Sequence, residues 1–461
     1  MATIRFFGGV RTVTGTCFHL EMPELRMLID CGMVQGGDNE SVNSDPFPFD
    51  PAGIDCLFLS HAHIDHSGLI PKLVKDGFRG RIVTTSATAD LVELMLYDSA
   101  HIQEADAQWL SKKALRAGRA PVVPLYSVDD VKKVIPLITR VPYGKLVHLG
   151  KGIKYRFLDA GHILGSGCLE LWFQDGPREK KILFSGDLGK KGNPIINDPS
   201  LETEADYVVM ESTYGNRLHK SMDDTVNELV EAIKVTFKRG GNVIIPAFAI
   251  GRTQDILYVL NRLVREKRLY RINVCIDSPL AEKATMTYLA HPECFDEEAK
   301  RLLRAGILED SITLRFTQSV QESKALNRIS SNAIILAGSG MCEGGRIRHH
   351  LKHNLWRSQC SIIFTGFQAK GTLGRRIVDG AKVVRIFGEE IAVNAAIHTL
   401  GGFSAHADQK ELMEWLSAFR NSPQVFVVHG EEETSMTFAD LVRKRFGFVT
   451  HVPEKGDSFG L

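Results

Sequence analysis

The sequence predicts an α/β protein in which a sheet-rich domain is interrupted by a second α/β domain. Short β-rich runs between turns fill residues 1 to about 210, and a strand-helix-strand alternation follows from about residue 221. The strand-rich pattern then returns near residue 390. We therefore predict a first domain over 1–211, an inserted domain over 212–390, and completion of the first domain by 391–461.

Six apolar runs predict the strands of the first part, because Gly, Pro, Asp or Ser bounds each of them. The runs are RMLID (26–30), CLFLS (56–60), RIVTT (81–85), CLELWF (168–173), KILFS (181–185) and YVVME (207–211). A domain dominated by sheet is the expected result.

The inserted part is predicted from helical spacing followed by a βαβ rhythm. The apolar positions of the helix are i, i+3, i+4, i+7 and i+11, occupied by Val226, Leu229, Val230, Ile233 and Phe237. The elements that follow are the strand NVIIPAF (242–248), the helix TQDILYVLNRLVREKR (253–268) and the strand INVCI (272–276). Consecutive strands joined by a helix run parallel, so we expect a parallel sheet.

The C-terminal part is predicted to contain strands joined by one amphipathic helix. The strand runs are IAVNAAIHTL (391–400) and QVFVVHG (424–430), and the helical run is DQKELMEWLSAFR (408–420).

Composition excludes several classes of protein. The 461 residues are 44% hydrophobic and 24% charged, which excludes a disordered chain, and the formal net charge of +1 gives no global attraction for polyanions. No run is long and apolar enough for a membrane span or a signal peptide, so we expect a cytoplasmic protein without membrane contact. The eight cysteines form no C-x-x-C pair, and we favour buried thiols over disulfides or a cysteine-zinc site.

The most informative motif is His61-Ala62-His63-Ile64-Asp65-His66, directly after an apolar run. Imidazole nitrogens and carboxylate oxygens are the ligands that Zn²⁺ and Mn²⁺ use, and a loop that leaves a strand can direct such groups toward two adjacent ions. The motif therefore predicts a metal site.

Six residues cannot fill the coordination of two metals, so further ligands must come from elsewhere. Three candidates, His162, Asp187 and His429, follow the predicted strands YRFLDA (155–160), KILFS (181–185) and QVFVV (424–428), where loops carry functional groups over a rigid sheet. Taken singly, a His or Asp at a strand end is more often a structural residue.

Seven motifs together resemble the metallo-β-lactamase superfamily and, within it, the RNA-cleaving β-CASP nucleases. The motifs are LIDCG (28–32), HAHIDH (61–66), AGHILGSG (160–167), FSGDLG (184–189), ESTYG (211–215), FSAHAD (403–408) and VVHGE (427–431). The resemblance implies an αββα metallo-β-lactamase sandwich with an inserted α/β β-CASP domain built on a parallel sheet. It also implies two Zn²⁺ ions, with Mn²⁺ as the alternative.

Site roles follow from the same resemblance. It implies that His61, His63 and His162 bind one zinc, that Asp65, His66 and His429 bind the other, and that Asp187 bridges them. Asp30 would hold the ligand loop by hydrogen bonds. The catalytic group would be His406, Glu211 and Asp65, with His406 as general acid and Glu211 as its hydrogen-bond partner.

Local charge suggests a track for a polyanion. Residues 340–385 contain nine Lys or Arg and two acids, a local charge of 9 − 2 = +7. A solvated basic face is the alternative. Four residues are candidates for contacting a substrate phosphate: Ser339, Gly340, Ser404 and Arg252. The glycine-rich loop at 338–345 could equally be simple turn structure.

The favoured function is a zinc-dependent ribonuclease, an endonuclease on single-stranded RNA that leaves 5′-phosphate and 3′-hydroxyl ends. A DNA nuclease of the same family is the first alternative, although the DNA-acting branch generally has valine where this chain has His429. A thioesterase or lactonase would not need an inserted domain, and a non-enzymatic nucleic-acid scaffold would have degraded ligand motifs. The sequence leaves a homodimer open and identifies no protein partner.

Overall fold

Two seven-stranded mixed sheets form the centre of the protein. The computed structural model describes residues 2–304 and 311–461. In spatial order, the strands of the first sheet are Ser458–Gly460, Thr3–Gly8, Cys17–Met22, Leu25–Ile29, Cys56–Phe58, Arg81–Thr85 and Ile138–Val141. Those of the second are Thr450–His451, Gln424–Val428, Tyr207–Glu211, Arg178–Phe184, Gly167–Asp175, Ile153–Asp159 and Val147–Gly150.

The two sheets pack face to face and carry helices on their outer faces. Phe6 and Phe58 of the first sheet share a core with Phe157 and Phe426 of the second. The helices against the outer faces are Ile64–Ser67, Ile70–Lys75, Ser86–Arg116, Val128–Val134, Gln409–Leu416 and Glu432–Phe446. Alternate residues of each strand face the partner sheet and the helices, which gives the expected αββα sandwich.

A third sheet of six parallel strands lies between two further helix layers. Its strands are, in spatial order, Ile312–Phe316, Ile272–Asp277, Ala333–Ala337, Val243–Pro246, Ser361–Phe364 and Ala396–Thr399. The helices that pack on it are Met222–Lys238, Arg252–Arg265, Pro279–Ala290, Val320–Leu326, Ile347–Asn354 and Leu373–Val378, whereas Glu297–Arg304 packs its Ala299 into a core of the sandwich. Apolar side chains cover both faces of the sheet, as is typical of a parallel sheet.

The helix predicted from the spacing of Val226 to Phe237 is confirmed as Met222–Lys238. The Ser221 side chain caps it by accepting from the Asp224 N–H, and Asp223 and Asp224 place negative charge in the first turn. The chain leaves the helix through Gly240, whose positive φ of 71° suits glycine.

The run IAVNAAIHTL is divided between two sheets. Its first residues lie in Glu389–Ala392, which pairs antiparallel with Val383–Ile386, and its later residues form the Ala396–Thr399 edge of the six-stranded sheet. At residue 391 the chain has therefore not yet returned to the two seven-stranded sheets. The domain boundaries at 211 and 390 remain a prediction.

All eight cysteines are buried and unpaired, as expected. In the part of the chain that the structure describes, we find no helix with the length and apolar character of a membrane span.

Asp277 is the centre of a buried polar network in the inserted domain. Its carboxylate lies 2.6 Å from His350 Nε2 and 2.7 Å from Arg346 Nη1, and Ser323 and Thr317 also donate to it. Burial would raise the pKa of this carboxyl, but these hydrogen bonds outweigh burial and hold the pKa well below its usual value.

We expect Asp277→Ala to destabilise the protein by about 3–5 kcal/mol, because it leaves the buried His350 and the Arg346 guanidinium without their carboxylate. Urea unfolding followed by circular dichroism measures this. The pKa of Asp277 is lower in the folded protein than in the unfolded chain. Its carboxylate therefore adds to the free energy of unfolding above the ordinary carboxyl pKa of about 4, and this contribution is lost as pH falls below that value. Ser323→Ala removes one donor and should cost only about 1–3 kcal/mol; an equal loss in both variants would contradict the central role of Asp277.

Candidate metal centre

Asp30 anchors the loop that carries most of the predicted ligands. It follows the strand Leu25–Ile29 with φ 59°, and its carboxylate accepts from Ser60 N and Ser60 Oγ, both at 2.8 Å. The same carboxylate lies 2.7 Å from His66 Nδ1. This contact fixes the ring of His66 so that Nε2 points toward the cleft. Asp30 thus makes the hydrogen bonds expected of a residue that holds the ligand loop.

The first group of converging ligand atoms comes from three separate loops. His63 Nδ1 lies 3.1 Å from His61 Nε2 and 3.3 Å from His162 Nε2. Asp187 Oδ2 lies 3.6 Å from His61 Nε2 and 3.5 Å from His162 Nε2. One ion could contact all four atoms, which lie within 4.8 Å of one another.

The second group lies on the other side of Asp187. His66 Nε2 lies 3.3 Å from His429 Nε2, and Asp65 Oδ2 lies 3.5 Å from the same His429 nitrogen. Asp187 Oδ1 lies 3.3 Å from His66 Nε2 and 3.4 Å from His429 Nδ1. The two oxygens of Asp187 therefore face different groups.

Loop-to-loop backbone contacts explain how these groups approach so closely. The N–H of Thr16 donates to the Asp65 carbonyl at 2.8 Å, and Gly32 packs against the same carbonyl. A Cβ on Gly32 would lie 1.6 Å from that oxygen, so only glycine fits there.

The charge states of the first ligand group suit a cation. Burial lowers the pKa of His61 and His162 well below the usual value and that of His63 to about 4, so these rings are neutral with free lone pairs. Burial would raise the pKa of Asp187, but His429 and His66 hold it well below its usual value, and the Asp187 and Asp30 carboxylates in turn raise the pKa of His66.

The donor set fits a pair of divalent ions. Among the described residues, Asp187 Oδ1 is buried and has no partner with hydrogen-bond geometry. Imidazole nitrogens that face one another at 3.1–3.3 Å cannot all carry protons between them. Neutral imidazoles and an ionised carboxylate are the ligand forms that Zn²⁺ requires.

His406 and Glu211 lie together beside this cluster. His406 Nδ1 is 3.1 Å and 3.2 Å from the two carboxylate oxygens of Glu211 and 3.9 Å from Asp187 Oδ2. Burial would lower the pKa of His406, but the Glu211 carboxylate outweighs burial and raises it to about 9. The ring can therefore carry a proton at neutral pH. Glu211 is itself held by the N–H groups of Leu188 and Thr213.

The four predicted phosphate contacts have different surroundings. The hydroxyl of Ser339 lies against the backbone of Gly344, and Gly340 packs against the ring of Phe248. Ser404 is buried and hydrogen bonded with Tyr214. The guanidinium of Arg252 is 8% exposed and lies 3.1 Å from Asp255 Oδ2. Their contact with a substrate phosphate stays a prediction.

The predicted basic track carries less free charge than its sequence suggests. Arg346 is bound to Asp277, Arg375 to Asp379, and Lys352 to Glu389. Ion pairs reduce the number of cations left for phosphates, so the local excess of +7 overstates the attraction of this segment for RNA.

Sequence reasoning missed two residues at the site. Thr213 Oγ1 lies 3.1 Å from His429 Nδ1 and orients that ring. The ring of Phe248 lies 6.1 Å from that of His63, measured between centroids. Both occur within motifs that the sequence analysis quoted, ESTYG and NVIIPAF, but neither residue type is a metal ligand.

Comparisons with known proteins identify the families that the chain matches. Residues 13–246 match the metallo-beta-lactamase superfamily, residues 253–377 match the Beta-Casp domain, and residues 390–453 match the Zn-dependent metallo-hydrolase RNA specificity domain. A crystal structure of a protein of unknown function from Enterococcus faecalis V583 covers 100% of both chains, with a TM-score of 0.54 and 13% identity, and shows a shared fold alone.

Two relatives cover nearly all of the chain. Ribonuclease TTHA0252 of Thermus thermophilus is 38% identical over 440 residues, 95% of each chain. Transcription termination factor FttA of Methanocaldococcus jannaschii is 31% identical over 475 residues, 99% of this chain and 71% of the relative. The chain therefore belongs to the β-CASP RNA nucleases of the metallo-β-lactamase superfamily, which are metal-dependent hydrolases.

Proposed function

We propose that this protein is a zinc-dependent endoribonuclease that hydrolyses single-stranded RNA to 5′-phosphate and 3′-hydroxyl ends. The observation that carries the proposal is the His406–Glu211 pair, with His406 Nδ1 3.9 Å from the carboxylate that faces both ligand groups. A proton donor beside a two-ion site is what cleavage of an unactivated phosphodiester requires, because a 3′-alkoxide leaves poorly without a proton.

The ligand assignment follows the two groups of converging atoms. His61, His63 and His162 would hold one Zn²⁺, Asp65, His66 and His429 would hold the other, and Asp187 would contact both. When bound, two such ions lower the pKa of a water and stabilise charge on the phosphate during in-line displacement. Mn²⁺ is the alternative metal.

His406 and Glu211 would supply the proton to the leaving group. Glu211 accepts from His406 Nδ1, which leaves Nε2 as the nitrogen available to the leaving group. As the bond from phosphorus to the 3′-oxygen breaks, the Nε2 proton passes to that oxygen. Glu211 keeps the ring oriented and cationic until then.

Three alternatives make different predictions. A DNA nuclease would cut a DNA strand of the same sequence as well as the RNA, whereas His429 favours RNA by the pattern of the family. A thioesterase or lactonase would hydrolyse small esters and leave RNA intact. A binding scaffold would bind RNA and cut nothing. The similarity to a ribonuclease at 38% identity supports RNA cleavage over all three alternatives.

The decisive experiment is cleavage of a single-stranded RNA labelled at either end. We expect internal products from both labelled forms, and no cleavage of the matching DNA. Mononucleotides released only from the 5′ end would replace the endonuclease assignment with an exonuclease, and equal cleavage of DNA would discard the RNA assignment.

Metal removal is a separate expected outcome. Dialysis against a chelator should abolish cleavage, and stoichiometric Zn²⁺ should restore it. The converging side chains can hold the ions, but they cannot supply the chemistry of the ions. Restoration by Mn²⁺ but not Zn²⁺ would change the metal assignment. Activity that survives verified loss of all bound metal would overturn the mechanism.

A further inference from the structure

Phe248 presents an exposed aromatic face beside the first ligand group. It follows the strand Val243–Pro246 of the six-stranded sheet, and its side chain is 37% exposed. Its ring centroid lies 6.1 Å from that of His63, which belongs to the sandwich. The ring therefore stands where the inserted domain meets the metal centre, although it cannot bind a metal.

The backbone and a glycine hold this ring in place. Thr253 N and Thr253 Oγ1 donate to the Phe248 carbonyl at 3.2 Å and 2.8 Å. A Cβ on Gly340 would lie 2.7 Å from two carbons of the ring, so the loop backbone packs directly against it. Gly340 thus makes room for an aromatic ring that packs against the loop backbone and still leaves 37% of its side chain exposed.

The aromatic rings on the His406 side of the centre pack against one another and against Arg217. Tyr214 is 6% exposed, and its ring lies 5.9 Å from that of Phe367. The Arg217 guanidinium stands over both rings, at 5.3 Å and 5.9 Å. Of these three rings, that of Phe248 is the most exposed.

We propose that the exposed face of Phe248 stacks on a nucleobase next to the scissile phosphate. This inference rests on the proposed RNA substrate and deepens it. When the phosphate of a nucleotide lies at the ligand groups, its base lies one ribose away. The ring of Phe248 adjoins the ligand His63, so it lies within reach of such a base. Because every base has a π-face, such stacking adds affinity without selecting a sequence.

The experiment compares base dependence in the wild type and in Phe248→Leu. Leucine keeps much of the apolar volume that packs against Gly340 and removes the π-face. The substrates are a short end-labelled RNA with a mapped cleavage position and two derivatives with an abasic ribose directly 5′ or 3′ to it. The zinc-loaded protein is used throughout.

On intact RNA, we expect Phe248→Leu to raise KM roughly 5- to 100-fold, the range given by the loss of one stacked base. On one of the two abasic derivatives, wild type and Phe248→Leu should have the same KM, since the base that stacks is missing. Phe248→Tyr should restore wild-type KM. Tyr270→Leu, at an exposed aromatic residue elsewhere in the inserted domain, should change nothing.

An undiminished effect of Phe248→Leu on both abasic derivatives would overturn the stacking role, and so would an unchanged KM on intact RNA. If the wild type cuts no RNA at all, the proposed function fails and the inference fails with it. If the wild type cuts RNA but Phe248→Leu raises KM equally with and without the neighbouring bases, only the inference fails.

Discussion

Asp187→Ala is expected to lower kcat for RNA cleavage by at least about a thousand-fold, a loss of several kcal/mol of transition-state stabilisation. The reason is geometric. One oxygen of Asp187 lies within 3.6 Å of His61 and His162, and the other lies within 3.4 Å of His66 and His429. Removal of this carboxylate therefore takes a ligand from both groups at once.

Metal analysis checks the cause of that loss. Bound zinc should fall by about one equivalent per chain or more, because an incomplete ligand set binds the ion weakly. Asp187→Asn keeps the side-chain volume and should show the same loss of metal, which separates charge from packing. Asp206→Ala makes the same chemical change at an exposed carboxylate directly before the strand Tyr207–Glu211, and it should keep full zinc and full activity. A fully metallated but inactive Asp187→Ala protein would contradict the bridging role.

The sequence predicts which side chains lie together at this site because its determinants are local. The motif from His61 to His66 is continuous, and His162, Asp187 and His429 each follow a strand that a short apolar run predicts. The strands before His162, Asp187 and His429 run in the same direction in the second sheet, so the loops after them meet at one edge, and the His61–His66 loop reaches that edge from the first sheet. The structure brings these side chains within a few ångströms of one another. Their roles as metal ligands still rest on the family pattern and on the experiments above.

What the sequence could not predict depends on contacts between distant segments. Arg346 counts as a free cation in the sequence, but Asp277, 69 residues away, binds it. The glycine-rich loop at 338–345 resembles a phosphate-binding loop in the sequence. In the structure, Gly340 of this loop packs against the ring of Phe248. Periodicity and spacing carry no information about such partners, because they report which face of an element is apolar and not what lies against it.

The run IAVNAAIHTL shows the same limit for the fold. Its composition predicts strand, and strands form, but residues 389–392 pair in a two-stranded ribbon while residues 396–399 join the six-stranded sheet. Which sheet each strand joins depends on the position of the sheet edges in the folded protein, and composition does not report that. In contrast, the helix Met222–Lys238 needs only its own apolar stripe and caps, and its prediction is correct.

His406→Ala is expected to lower kcat by about 100- to 10,000-fold, the usual contribution of a general acid, while zinc content stays unchanged. Because His406 Nδ1 is held by Glu211, the ring has Nε2 free for the leaving oxygen. A nucleotide p-nitrophenyl ester, whose leaving group needs no proton, should be cut at nearly equal rates by the variant and the wild type. An equal loss on that ester would show that His406 is not the proton donor. His148→Ala, at an exposed histidine on an outer strand, serves as the matched control.

The pH profile gives an independent check of the same role. Since the general acid must be protonated, kcat/KM for RNA should fall as pH rises through the pKa of His406 near 9. Glu211→Gln removes the carboxylate that raises this pKa and leaves the burial that lowers it, so the alkaline limb should move to lower pH. The shift should occur with RNA and be absent with the p-nitrophenyl ester, where no protonated donor is required. An alkaline limb that is identical in wild type and Glu211→Gln would separate His406 from the proton transfer.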